Sequence, residues 1–220
     1  LKDYSSEPTI NLNPINQSEN LNSVKIKISD TNIFIDEKLC LDSPNGMIDI
    51  KDTKIKTTSK NNGSITITGN SVLLRGDTLL LSNGEKYGGL IQIGGSWQNS
   101  NKKIRQSNRT VVEEKVLVDT SSNSGNGGII VIWSDINNKK GLTRVKGTLI
   151  SNGNKGGSIE TSGANLDVKD IEISLKSKEG DDGLWLLDPF DFVINETTKV
   201  SIQNALRKGT NVIITTSNEI

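Results

Sequence analysis

One short form recurs along this chain and limits what it can fold into. NGSITITG (62–69), GGLIQIGG (88–95), GGIIVIWS (127–134) and GGSIETSG (156–163) each place glycine before an alternating strand of four or five residues, with Gly or Ser after it. Their starts are 26, 39 and 29 residues apart. A repeat of that length built on one short strand signal is the spacing of one coil of a β-solenoid, the longer interval being enlarged by an insertion. Alternating segments continue between the repeats: VKIKIS (24–29), NIFID (32–36), MIDI (47–50), TKIKT (53–57), TLLLS (78–82), KVLVDT (115–120), GTLIS (147–151), LDVKD (166–170) and IEISL (171–175). Period two puts Val24, Ile26 and Ile28 on one face and the lysines on the other. An antiparallel sandwich also has short strands and frequent turns. The solenoid is favoured because Asn-Gly hairpin signals do not recur regularly and because aromatic residues make up only 4% of the chain, which suits a thin core of stacked Ile, Val and Leu.

A helical pattern occurs once. In KVSIQNALRKGTN (199–211), Ile202, Ala205 and Leu206 fall at i, i+3 and i+4 before a Lys208-Gly209 stop, which predicts a short helix near 199–208. The expected organisation is a linker or peripheral strand over 1–20, then one β-helix segment over 21–220 with a loop or hairpin insertion near 95–115. At roughly 25 residues per coil this predicts about 8 or 9 coils and a rod on the order of 40 Å.

Composition excludes several kinds of chemistry. The chain has no histidine and one cysteine, Cys40, so it forms no disulfide within itself, no Cys/His zinc site and no His-dependent nucleophile pair. Lys+Arg and Asp+Glu are both 26, which argues against general nucleic-acid binding. No apolar run reaches the roughly 18 residues needed to span a bilayer. The chain begins at Leu1 with no signal-peptide pattern, and the expectation is an internal or processed piece of a larger protein.

The segments GGIIVIWSD (127–135), GGSIETSG (156–163) and GLWLLDPFDFVIN (183–195), in that order, resemble the large exoproteins of two-partner secretion, the filamentous-haemagglutinin-like and high-molecular-weight adhesins of Gram-negative bacteria. VSIQNALRKGTNVIITTS (200–217) is similar to the short helix and following strand of that family, and SPNGMIDI (43–50) faintly echoes its secretion-domain turn. The resemblance is specific over 125–217 and unspecific over 24–124. It implies an all-β, right-handed parallel β-helix exported through an outer-membrane partner barrel. The chain would then serve, without enzymatic activity, as a shaft or adhesive module at the cell surface, meeting a glycan or protein of a host or neighbouring cell and stacking on adjacent β-helix coils. No cofactor is expected. The alternative is a β-helical carbohydrate-active enzyme, a polysaccharide lyase or glycosidase. A surface- or ice-binding solenoid is a third reading, weakened by irregular Thr spacing.

Gly88, Gly89, Gly127, Gly128, Gly156 and Gly157 are expected at corners, where a positive φ or close stacking excludes a Cβ; no Walker-type motif supports a phosphate loop. Trp133 is expected to pack over a corner and Trp185 to form a buried cap or bend, whereas Trp97 is the tryptophan expected to be most exposed. Pro189 should hold Asp188 extended, with Asp188 accepting backbone N–H groups. Asp181, Asp182, Asp188 and Asp191 could hold Ca²⁺ or act as an acid/base pair, but read better as a solvated loop with a capping Asp. The basic run with Lys102, Lys103, Arg105 and Arg109 is a candidate partner contact together with Trp97, set against a solvated loop. Asn16, Asn62, Asn108 and Asn195 begin N-x-S/T triplets, which leaves glycosylation open.

Overall fold

The structure is a computed structural model that describes residues 25–58 and 63–216; the expected linker or peripheral strand at 1–20 lies outside the described residues. In chain order the strands are β1 (Lys25–Ser29), β2 (Asn32–Ile35), β3 (Lys38–Lys51), β4 (Lys54–Thr57), β5 (Ser64–Arg75), β6 (Leu79–Leu81) and β7 (Leu90–Ile93). A 3₁₀ turn (Trp97–Asn99) follows, then β8 (Arg109–Val112), β9 (Leu117–Asp119), β10 (Ile129–Trp133), β11 (Leu142–Val145) and β12 (Thr148–Ile150). The chain finishes with β13 (Ser158–Ser162), β14 (Asn165–Asp167), β15 (Glu172–Ser174), β16 (Leu184–Leu187), helix α1 (Glu196–Arg207) and β17 (Asn211–Ile214).

Every pairing between these strands is parallel. They stack in three columns, so the chain is an all-β parallel β-helix with one helix. The first column runs through the front half of β3, the front half of β5, then β7, β10, β13, β16 and β17. The second runs through β1, the back halves of β3 and β5, then β8, β11 and β14. The third runs through β2, β4, β6, β9, β12 and β15. β3 and β5 each run from the first column into the second as one strand, and the Ser43–Met47 stretch is the bend in β3 where pairing is interrupted and the register shifts.

Down the first column the partners are Leu39, Ile65, Ile91, Ile130, Ile159, Trp185 and Val212, at intervals of 26, 26, 39, 29, 26 and 27 residues. The spacing of the glycine repeat is therefore the coil length. Seven strands stack in this column rather than the eight or nine predicted. The 39-residue coil and the helix take up chain that a uniform repeat would have spent on further coils. Inward side chains form a continuous column of buried Ile, Leu and Val.

The corners explain the buried hydroxyls. At the corners buried carbonyls take a hydroxyl donor, Gly63 O, Gly128 O and Ser162 O doing so in addition to a ladder N–H from Leu90, Ser158 and Ser134. Where the third column turns into the first, buried Ser82 Oγ donates to Gly63 O (2.6 Å) and Ser151 Oγ to Gly128 O (2.9 Å). Where the first turns into the second, Thr110 Oγ1 donates to Trp133 O (2.6 Å) and Thr143 Oγ1 to Ser162 O (2.6 Å).

Helix α1 begins three residues before the predicted start. Asn195 Oδ1 accepts from the backbone N–H groups of Thr197 and Thr198, and Thr198 Oγ1 accepts from Asn195 N–H, which closes a capping box. Thr198, Ser201, Ile202 and Ala205 face inward, whereas Leu206, expected on that stripe, is exposed. The helix packs against β15 and β17 and stops at Gly209 with φ +94°.

The second glycine of each Gly-Gly pair gives its carbonyl to the next coil: Ile129 N–H donates to Gly89 O, Ser158 N–H to Gly128 O and Leu184 N–H to Gly157 O, at 2.9–3.0 Å. A Cβ on Gly128 would lie 2.0 Å from Gly89 O, a backbone atom that cannot rotate away. Gly128→Ala is expected to cost about 3 kcal/mol or more. Gly180→Ala, whose nearest neighbour is the flexible Lys155 Cγ at 2.8 Å, should stay within about 1 kcal/mol. Urea unfolding of the two variants checks the contrast.

Candidate functional site

The chain between β7 and β8 leaves the coil and lies across the outer surface of the first column. Its two ends meet, Ser107 N–H donating to Gly94 O (2.8 Å), so residues 94–107 form a closed Ω-shaped strap. No strand occurs within it, and Arg109, placed in the insertion by the sequence pattern, is the first residue of β8 beside Ser71 and Leu142. The strap is held at several points. Gly69 N–H donates to Ser107 Oγ (3.3 Å) and the Trp133 indole Nε1–H to Gln106 Oε1 (2.9 Å). Arg105 Nε pairs with Asp42 Oδ1 (3.3 Å), which also accepts from Thr68 Oγ1 (2.9 Å). At the far end Gln98 N–H donates to Glu160 Oε2 (2.8 Å).

Glu160 stands on the outward side of β13, beside Val131 of β10 and Leu186 of β16 in register. Alternation alone would make it a solvent residue. Covered by the strap, its exposure is 0%. Its other oxygen, Oε1, accepts from Ser162 Oγ (3.0 Å). Burial pushes its pKa up to about 7, the two hydrogen bonds opposing the shift and the charge of Asp188 adding to it.

The expected partner residues divide. Trp97, Lys102, Lys103 and Arg105 share the strap, and Arg109 stands apart from them on its strand. Lys102, Lys103, Arg105 and Arg109 are exposed, and Trp97 is half-buried and the least buried of the three tryptophans. Trp133 ends β10, buried against the strap, where a Cβ on Gly95 would touch its ring. Trp185 is a correction to the expected cap or bend: it is an inward residue of β16, fully buried in the main core. Its Nε1–H donates to Thr161 Oγ1 (3.1 Å), and Thr161 occupies a position that Ile93 and Ile132 fill in earlier coils.

The corner glycines work by close stacking and not by a positive φ, which falls instead on Gly76, Gly94 and Gly209. The first glycine of each pair abuts the carbonyl that ends a third-column strand. A Cβ on Gly88 would lie 1.9 Å from Thr120 O, on Gly127 2.3 Å from Ser151 O and on Gly156 2.0 Å from Leu175 O. A Cβ on Gly89 or Gly157 would strike the carbonyl of the glycine one coil back. Asp188, whose N–H continues the ladder to Thr161 O, accepts from the Thr215 hydroxyl (2.7 Å) and, among the described residues, not from backbone N–H groups; buried Pro189 follows the end of β16. Two of the other carboxylates of that cluster are engaged locally, Asp182 Oδ1 accepting from Ser177 N–H (2.6 Å) and Asp191 Oδ1 from Phe192 N–H (2.8 Å), while Asp181 is exposed. Among the described residues no three His, Cys, Asp or Glu side chains converge.

Two surface grooves complete the picture. One, of about 550 Å³, is bordered by Lys51, Arg75, Lys115, Arg144 and Lys146. Each of these cations has a carboxylate: Asp52, Asp49, Asp77, Asp167 and Glu114 respectively. Arg75 holds Asp49 through two bonds (2.8 and 3.1 Å), which raises the guanidinium pKa, and a backbone N–H from Asp77 holds Asp52 below the usual carboxylate range. The other groove, of about 460 Å³, is floored by the corner glycines beside exposed Tyr87 and Ile129. Of the N-x-S/T asparagines, Asn16 and Asn62 lie outside the described residues. Asn108 bonds Asn70 and Asn138 along the stack, and Asn195 is the helix cap.

Comparison of the chain with protein-family models, curated proteins and solved structures gives no match. No helix of the described residues is long and apolar enough to cross a membrane.

Thr161→Val keeps the shape but leaves the buried Trp185 N–H without an acceptor. It should lower stability by about 1–3 kcal/mol, read as a reduced urea midpoint at unchanged slope.

Proposed function

We propose that this chain is a non-enzymatic segment of a large bacterial surface exoprotein, exported by two-partner secretion and serving as a structural shaft or adhesive module. One observation carries the reading. The three segments of the resemblance, GGIIVIWSD, GGSIETSG and GLWLLDP, supply β10, β13 and β16, which are consecutive neighbours in one column of the parallel β-helix that the resemblance implies. Their particular residues are tied to that stacking. The glycines permit the close approach of coils, Thr161 accepts from Trp185 one coil on, and Trp133 lies under the strap. The wall along the groove of about 550 Å³, with its cations matched one to one by carboxylates, suits a rod with a solvated side.

The partners in this reading are an outer-membrane transporter barrel, adjacent coils of the same protein, and a glycan or protein on a host or neighbouring cell. Expression of the exoprotein with and without its cognate barrel tests the route. Surface display should depend on the barrel, and unchanged display in its absence would contradict the proposal. Turnover of acidic polysaccharides by the purified chain would favour a β-helical lyase or glycosidase instead.

A further inference from the structure

We propose that residues 94–107 are a proton-responsive strap, held down over the first column while the Glu160 carboxyl is protonated and loosened when it ionises. The strap carries strain at its point of attachment. Gln98 and Asn99 are consecutive non-glycine residues in the left-handed region, with φ of 45° and 49°. Such conformations cost on the order of 1 kcal/mol or more each and persist only where other contacts hold them. The contact available at Gln98 is its N–H bond to Glu160, 62 residues away along the chain. The other anchors, Gln106 to Trp133, Arg105 to Asp42, Ser107 to Gly69 and Gly94, and Gly94 to Ile67, lie at or beside the base where the strap's two ends meet. The strained end can therefore lift while the base stays tied.

The environment of Glu160 sets the direction. In the closed strap it faces neutral Val131 and Leu186 on the flanking strands, Ser162 on its own strand and the Gln98 amide above. Among charged groups on the packed elements, Asp188 beyond β16 acts on it and disfavours its charge. On the strap, Arg105 is paired with Asp42, and Lys102 and Lys103 are exposed. Among the described residues no cation offsets the buried carboxylate, and its pKa in the closed form is about 7. With the strap lifted, Glu160 becomes an outward strand residue in water and titrates as an ordinary glutamate, near 4.3. The closed form thus binds the proton more tightly. Closure is fullest below the open-form pKa and weakens as pH rises through the closed-form value, levelling off above it.

Amide hydrogen exchange on the full chain tests this. Protection factors of the Gln98, Asn99 and Ser100 amides, corrected for intrinsic rates, should fall by about 75-fold between pH 5 and pH 8. The Ile130 and Ile132 amides in the ladder should hold steady. Glu160→Gln keeps an acceptor for Gln98 but cannot ionise, and should flatten the profile. Gln98→Gly relieves the strain and should raise protection about threefold or more at both pH values while leaving the fall with pH intact. The idea is overturned by flat wild-type protection, by a parallel fall of the ladder amides, by a fall that persists in Glu160→Gln, or by loss of the fall in Gln98→Gly.

Discussion

The structure depends on one constraint: each coil must satisfy its backbone on the coil before it. Parallel strands in three columns do this along their lengths, and the corners are where it becomes difficult. There the chain turns while remaining one strand spacing, about 4.8 Å, from its neighbour. The Gly-Gly pairs answer the steric side, since a Cβ on Gly88 or Gly128 would strike a carbonyl of an adjoining coil. The buried hydroxyls of Ser82, Ser151, Thr110 and Thr143 answer the polar side by donating to buried carbonyls at the corners.

This accounts for a composition that would be poor for an ordinary globular core. Hydrophobic residues are 32% of the chain. A β-helix needs only a narrow inward stripe per coil, and its stability accumulates from stacking on neighbours. Part of even that stripe is hydroxyl. Charge follows the same economy: Arg144 and Asp167 stand side by side in register on adjacent coils, and Arg75, opposite Lys51, reaches diagonally to Asp49, which is opposite Leu73.

What could be read in the sequence was what repeats. The glycine-led strands became β5, β7, β10 and β13, and their spacing became the coil length. β8 and β11 were hidden because their inward positions include Thr110 and Thr143, which break the apolar alternation for a reason visible only at the corner. LWLLDP concealed a ladder strand because the strand is apolar on both sides, with Trp185 inward and Leu186 outward yet covered. Glu160 was the least legible residue. Nothing near it in sequence distinguishes it from an outward polar residue, and its burial comes from a strap more than fifty residues upstream. The strap itself left one trace, the longest interval in the repeat.

The register of the stack is the central claim, and a distance series along one column tests it most directly. Lys38, Ser158 and Asn211 occupy equivalent positions, with Ser158 four coils and Asn211 six coils beyond Lys38. Nitroxide labels paired at Lys38 and Ser158, and at Lys38 and Asn211, should lie about 19 Å and about 29 Å apart by pulsed electron paramagnetic resonance. A second distance no longer than the first would mean that the chain doubles back, as in a sandwich, and would contradict the parallel stack.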